Sequence, residues 1–426
     1  MSETTTDAAG HAASAPTRLD HRLRRMTGRD PDEAHRSATP LELFFDLVFV
    51  AAFSQAGSQA AHLLELGHFV PATFGFVFAI FAIAWAWINY AWLASAYDND
   101  DIFFRIATMV QMIGVVVLAL GLPQTFTSID EGGALENRAV VLGYVIMRVA
   151  VIALWIRAAR HDPAHRRTAV TYAVLVSAAQ VGWIALLVAN PPLTGAVVAW
   201  GVLVAFELAV PIIAQRRGGR TPWHAHHIAE RYGLLVIITL GEIVLGTILA
   251  ISAVVEEQGW DLEAVLVTVG GSMLAFALWW VYFIMPSARV LARHRERSFA
   301  WGYGHIVIFG SLAATGAGLH VAAYVIEGVA HIDDTTALLT VVVPVAIFSV
   351  ALFTLYTLVL REFDPFHILL FLGGLVPLVA AVWAVAAGAS MGTGIVIAAL
   401  SPVVVVIGYE TLGHRHQAAA LERALA

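Results

Sequence analysis

Residues 41–55, LELFFDLVFVAAFSQ, read as the start of a membrane helix with two acids, Glu42 and Asp46, in its first turns. Glu42, Asp46, Val50, Phe53 and Gly57 follow helical spacing and share one stripe, so both carboxylates point the same way. Glu42 is expected at the membrane interface. Asp46, roughly 9 Å past Pro40 along the axis, is expected to face another helix or a water-filled cavity.

Composition sets lipid as the solvent. Hydrophobic residues make up 59% of the 426, charged residues only 13%, and mean hydropathy is +0.77, outside the range of soluble domains. Cysteine is absent, which excludes disulfides, thiol catalysis and cysteine-held metals. All 24 basic residues are arginine, a bias associated with GC-rich prokaryotic genomes. The net charge of −7, with its cations confined to short loops, argues against nucleic-acid binding. Residues 1–39 lack the apolar core of a signal peptide and read as a disordered cytoplasmic tail.

Apolar runs long enough to cross about 30 Å of hydrocarbon predict an all-α fold with spans at 41–62, 70–96, 102–122, 138–157, 168–189, 194–214, 228–252, 263–285, 299–324, 337–360, 367–388 and 394–413. Loops after even-numbered spans carry Arg157, Arg160, Arg166 and Arg167, then Arg216, Arg217 and Arg220, then Arg289, Arg293, Arg295 and Arg297. The alternate loops are acidic or neutral, with Arg138 alone on that side. Arginine asymmetry therefore predicts both termini in the cytoplasm, residues 414–426 forming a short tail, and a location in a prokaryotic inner membrane. Weak echoes suggest two parallel six-helix repeats, 40–215 and 216–413. Glu42 with Phe44, Leu47 and Val48 matches Glu230 with Tyr232, Leu235 and Val236, and Phe206-Glu207 matches Tyr409-Glu410.

Two of these stretches, ELFFDLVFV and HHIAERYGLLVIITLGEIVLG (226–246), resemble the low temperature requirement A family of bacterial membrane proteins. The resemblance runs from residue 36 to about 412 and includes Tyr144, Arg148 and the Trp155–Arg160 segment. It implies a multi-pass membrane protein and a link to growth in the cold, and names no substrate. FFDLVFVAAFSQ is also similar to the Phe-Ser-Asp signature in the first helix of a six-helix-repeat potassium channel family, with Phe45 standing where that signature has serine.

Charge inside a membrane helix costs about 2.5–3.5 kcal/mol on the insertion scale, so each such residue needs a partner. Arg148 and Glu242 fall near mid-membrane by residue count, and Asp46 and Glu207 somewhat off it. These four are the candidate ion-coupling residues. Arg148 is expected to pair with Asp46, Glu207 or Glu242, with Tyr144, Gln111 or His305 completing the network, and Glu42, Glu230 and Glu410 supporting from the ends. The competing reading makes these groups fixed bridges that orient helices. Glu242 lies in TLGEIVLG, whose glycines allow close approach of a ligand or of a neighbouring helix. His224, His226, His227 and Glu230 match no recognised zinc pattern and read as headgroup-level residues, so no metal or other cofactor is expected. The tryptophans at 85, 87, 92, 279, 280 and 301 read as anchors or packing. No nucleophile elbow, phosphate loop or zinc-protease motif marks an enzyme. The leading expectation is an ion- or proton-coupled transporter of a small solute. A cation channel and a non-transporting scaffold, oligomeric or not, are the alternatives.

Overall fold

The computed structural model describes residues 22–33 and 36–425 and contains twelve helices long and apolar enough to span a membrane, with no strand among the described residues. In chain order these are α1 (Pro40–Glu65), α2 (Phe69–Tyr97), α3 (Ile102–Asp130), α4 (Arg138–His161), α5 (Arg166–Ala189), α6 (Leu193–Gly218), α7 (Ala225–Gln258) and α8 (Leu262–Phe283). A short α9 (Ser287–Arg293) precedes α10 (Ser298–Ile326), α11 (Asp334–Leu360), α12 (Pro365–Ala386) and α13 (Met391–Gly408). After a π-helical turn, Tyr409–Gly413, comes α14 (His414–Leu425).

Each predicted span has its helix, with the largest shifts at the ends of the third, seventh and last spans; α7 runs on to Gln258 instead of stopping at 252. The third span runs to Asp130 because Pro123 is accommodated in α3, where Thr125 and Ser128 return their hydroxyls to backbone carbonyls. The last span stops at Gly408 rather than 413, where the π turn begins.

α10 and α2 are the most buried spans and form the centre, while α6 turns most of its surface outward. α1 packs on α2, α3 and α10; α7 packs on α8 and α10. Glycine permits the closest crossings. A Cβ on Gly143 of α4 would fall 2.4 Å from the Gly114 carbonyl oxygen of α3, and one on Gly316 of α10 would fall 2.7 Å from the Glu242 backbone of α7. Outward-facing Leu120, Val188, Val379 and Trp383 are exposed, as a lipid-facing surface requires.

The disorder expected before residue 40 does not hold for the residues described there. Residues 22–33 and 36–39 run without helix across the arginine-rich face and are pinned there. The Arg24 and Gly28 amides donate to Asp101 and Asp162, Met26 is fully buried, and Arg36 donates to the Ala94 and Ser95 carbonyls at the end of α2. Burial of Met26 and the exposed helix-end acceptors supply what the polar composition concealed. Residues 1–21 lie outside the described part. At the other end, α14 docks through Gln417 on the Ile284 carbonyl and Arg423 on Glu362.

Candidate functional site

Two ion clusters are buried in the helical bundle. The first joins α1 to α7. Thr39, before Pro40, caps α1: its hydroxyl accepts the Glu42 amide and its own amide donates to Glu42 Oε2 at 2.8 Å. That box fixes Glu42, and one turn later Asp46 points the same way. Opposite them, His227 and Arg231 stand one turn apart on α7. Arg231, fully buried, donates from Nη2 to Asp46 Oδ1 at 2.5 Å and places Nη1 2.8 Å from Glu42 Oε1, a close charge contact outside hydrogen-bond angles. His227 Nε2 lies 3.2 Å from Glu42 Oε2. The Trp87 indole donates to Asp46 at 2.7 Å, and the Arg231 guanidinium lies over the Trp87 and Tyr90 rings. Phe45 stacks on Tyr90, with ring centres 3.8 Å apart. Within the Phe-Phe-Asp stretch Phe45 is packed and Asp46 ion-paired, while Phe44 faces outward.

The charges here do not balance. Glu42 and Asp46 carry two negative charges against the one positive charge of Arg231 when His227 is neutral. The nearby Arg36 and Asp98 are left out of this count, since Asp98 is only partly ionised near neutral pH. Asp98, just outside α2, is almost completely buried; burial first, then the Glu42 carboxylate, pushes its carboxyl up to about 7. Its neighbour Asp101 resolves the other way. Burial opposes its charge, but hydrogen bonds from Arg157 and the Arg24 amide hold it well below the usual carboxylate range.

The second cluster joins α4 to α6. Arg148 Nη2 lies 3.1 Å from Glu207 Oε2 and also donates to the Tyr144 hydroxyl, whose ring lies 4.6 Å from the guanidinium. Of the three carboxylates expected as partners, Glu207 is the one that pairs with Arg148. Glu207 accepts three further bonds: from Trp85 at 2.8 Å, Trp183 at 3.1 Å and Gln180 at 3.3 Å. The carboxylate is saturated, whereas Nε and Nη1 of Arg148 have no hydrogen-bond partner among the described residues.

The other candidates lie apart. Glu242 is buried on α7 beside Ser54 of α1, with Oε1 unpartnered and no basic residue bridged to it among the described residues. Of its neighbouring glycines, Gly246 serves helix packing, since a Cβ there would meet the Gly316 carbonyl of α10 at 2.6 Å, while Gly241 faces open space. Gln111 returns its amide to the Ala107 carbonyl, and His305 joins Tyr282 and the Trp301 carbonyl, so neither completes the Arg148 network. Glu230 and Glu410 are exposed; the first accepts the Ala38 amide and the second the Trp280 indole.

Arg231 was the residue to find. It follows His227 by one turn, as Asp46 follows Glu42, and that matched spacing is its signal in the sequence. It passes for an interfacial arginine because it lies so near the start of its helix. Trp85 and Trp87 go beyond packing, since their N–H groups serve one buried carboxylate each.

Twelve membrane-crossing helices enclosing paired charges define a multi-pass α-helical membrane protein. The chain belongs to the bacterial low temperature requirement A (LtrA) family, whose model matches residues 37–404. It is 28% identical, over 294 residues, to an uncharacterized protein of Rhizobium meliloti (strain 1021), a match covering 65% of this chain and 67% of that one. No solved structure matches it.

Proposed function

We propose that this protein is a proton- or cation-coupled transporter of a small organic solute in a prokaryotic inner membrane, with both termini cytoplasmic. The charge deficit of the α1/α7 cluster carries this reading. Two buried carboxylates against one guanidinium cost several kcal/mol unless a proton or cation joins them, so the cluster is a place where such a charge can bind and leave. Glu242, one oxygen unpartnered, lies further along α7 as the next station. The Arg148–Glu207 pair lies on the solute side. α2 connects the two through Trp85 and Trp87, so a change in charge at Asp46 reaches Glu207 within a single turn of helix.

The parallel two-repeat organisation belongs to this reading. It is supported by helix neighbours: α1–α2, α1–α3, α3–α4, α4–α5 and α5–α6 recur as α7–α8, α7–α10, α10–α11, α11–α12 and α12–α13. The repeats differ at their second helices, since α8 packs closely on α13 while α2 reaches α6 through long side chains such as Trp85 and Phe81.

Flux into proteoliposomes, with and without a pH gradient, tests the proposal. Single cysteines at His331 and Arg217, read with an impermeant reagent in this cysteine-free chain, establish orientation. Glu242→Gln, nearly isosteric and permanently neutral, is expected to remain folded and to lose pH-coupled flux. Unchanged flux with unchanged pH dependence makes Glu242 structural, and no gradient-driven uptake by the parent protein overturns the transport reading.

A further inference from the structure

Two grooves open sideways at the arginine-rich face, one between α4 and α5 and one between α11 and α12. The first, of about 650 Å³, has Ala159 and Ala173 as its floor and Ile152, Ile156, Val170 and Val174 as its walls. Its length is that of one leaflet. From Arg160 back to Ile152 α4 runs roughly 12 Å, and from Arg166 to Ser177 α5 runs roughly 16 Å, against roughly 15 Å for half a hydrocarbon core.

Positive charge gathers at the mouth of this groove. Arg160 lies in the last turn of α4 and Arg166 opens α5, and both line it. Arg166 donates from Nε to the Ala159 carbonyl at 3.0 Å, which holds its guanidinium across the end of α4. Neither arginine is bridged to a carboxylate among the described residues, because the nearby acids are committed elsewhere. Asp101 holds Arg157, and Asp162 holds the His165 ring and accepts the Gly28 and Ala164 amides. The second groove, of about 330 Å³, is the contrast within the same molecule. Glu362 and Asp364 stand at its mouth with no arginine in its lining, and Arg423 and His416 already answer them.

We propose that the α4/α5 groove binds one anionic phospholipid of the surrounding bilayer, with its phosphate between Arg160 and Arg166 and one acyl chain along Ile156, Val170 and Val174. Guanidinium groups suit phosphate because they donate in pairs, and basic pockets between membrane helices are recognised places for acidic headgroups. Each arginine at a charged bilayer surface contributes about five-fold in affinity. The apolar walls select the lipid over a soluble anion, which has nothing to lay against them. The α11/α12 groove, acidic at its mouth, does not select such a lipid. None of this depends on the transport reading, since a protein without flux keeps the groove and its charges.

Native mass spectrometry of the purified, delipidated full-length protein, offered equal amounts of phosphatidylglycerol and phosphatidylcholine with matched chains, is the test. Phosphatidylglycerol is expected to be retained about ten times better. Arg160→Gln with Arg166→Gln is expected to weaken that retention about ten-fold or more. Arg289→Gln with Arg293→Gln removes the same charge from exposed positions on α9 and is expected to leave retention unchanged. Ser177→Phe fills the deep end of the groove without touching either arginine and is expected to lower retention, while excess inorganic phosphate is expected not to displace the lipid. Equal retention of the two lipids, or equal loss from the two arginine pairs, overturns the proposal by leaving only general surface charge. Displacement by inorganic phosphate, or indifference to Ser177→Phe, overturns it by leaving a site for the headgroup alone.

Discussion

The α1/α7 and α4/α6 clusters use the same parts, an arginine, a carboxylate and an indole from α2, and leave opposite things unfinished. In the first, Arg231 serves two acids and the cluster is one positive charge short. In the second, Glu207 takes four donors while the arginine keeps two nitrogens unpartnered. A deficit of charge suits a group that binds and releases a small cation. A charge-balanced pair with loose donors suits exchange of one partner for another. Position in the membrane alone does not separate these roles; the count of charges and donors does.

The comparison breaks most decisively at Arg231. Arg231→Leu leaves two buried acids uncompensated, and a loss of about 3–5 kcal/mol or more is expected, read as failure to purify a folded species or a collapse of the apparent melting temperature. Neutralising only Asp46 alongside it is expected to restore part of the loss, and Asp46→Asn with Glu42→Gln more. If Arg231→Leu melts like the parent, the cluster does not hold the ionised groups assigned to it.

A smaller effect is expected at the second cluster, where one charge balances one. Arg148→Leu is expected to cost about 3 kcal/mol, and Glu207→Gln in the same chain to recover most of it, because a neutral amide still accepts from Trp85 and Trp183. A double-mutant cycle on apparent stability reads this directly. Additive losses show that the two residues do not interact and remove the contrast between the clusters.

Much of this was legible in the sequence. Apolar run length located the twelve helices because lipid leaves a spanning segment no other way to satisfy its backbone. Insertion cost marked Asp46, Arg148, Glu207 and Glu242 as residues that need partners. What escaped is whatever depends on how helices rotate against each other. Arg148 had three possible acids, and only the packing of α4 on α5 and of α5 on α6 selects Glu207. Glu42 hid a capping box, Thr39-Pro-Leu-Glu42, behind its charge. Arg231 hid behind the rule that places arginines at helix ends, and the chain before Pro40 looked free because its contacts are mostly to backbone and helix-end groups.

The smallest effect is expected at Asp98, and it sharpens the contrast by asking whether the deficit of the first cluster is felt at the end of α2. Its carboxyl is pushed up to about 7 by burial and by Glu42, against the opposing pull of the Asp100 amide and Arg36. An unfolded aspartate titrates near 3.9. Between those values the folded protein keeps a proton that the unfolded chain has lost, so stability is greatest at low pH and falls as pH rises from about 4 toward 7, then levels. From pH 6 to 8 the change amounts to about 1 kcal/mol, or roughly 2 °C in apparent melting temperature for a chain of this size. Asp98→Asn is expected to flatten that slope, and Glu42→Gln to shift its upper end to lower pH, because removing a like charge lets Asp98 ionise more easily. A slope unchanged in both variants places the titrating group elsewhere and separates Asp98 from the charge deficit of the α1/α7 cluster.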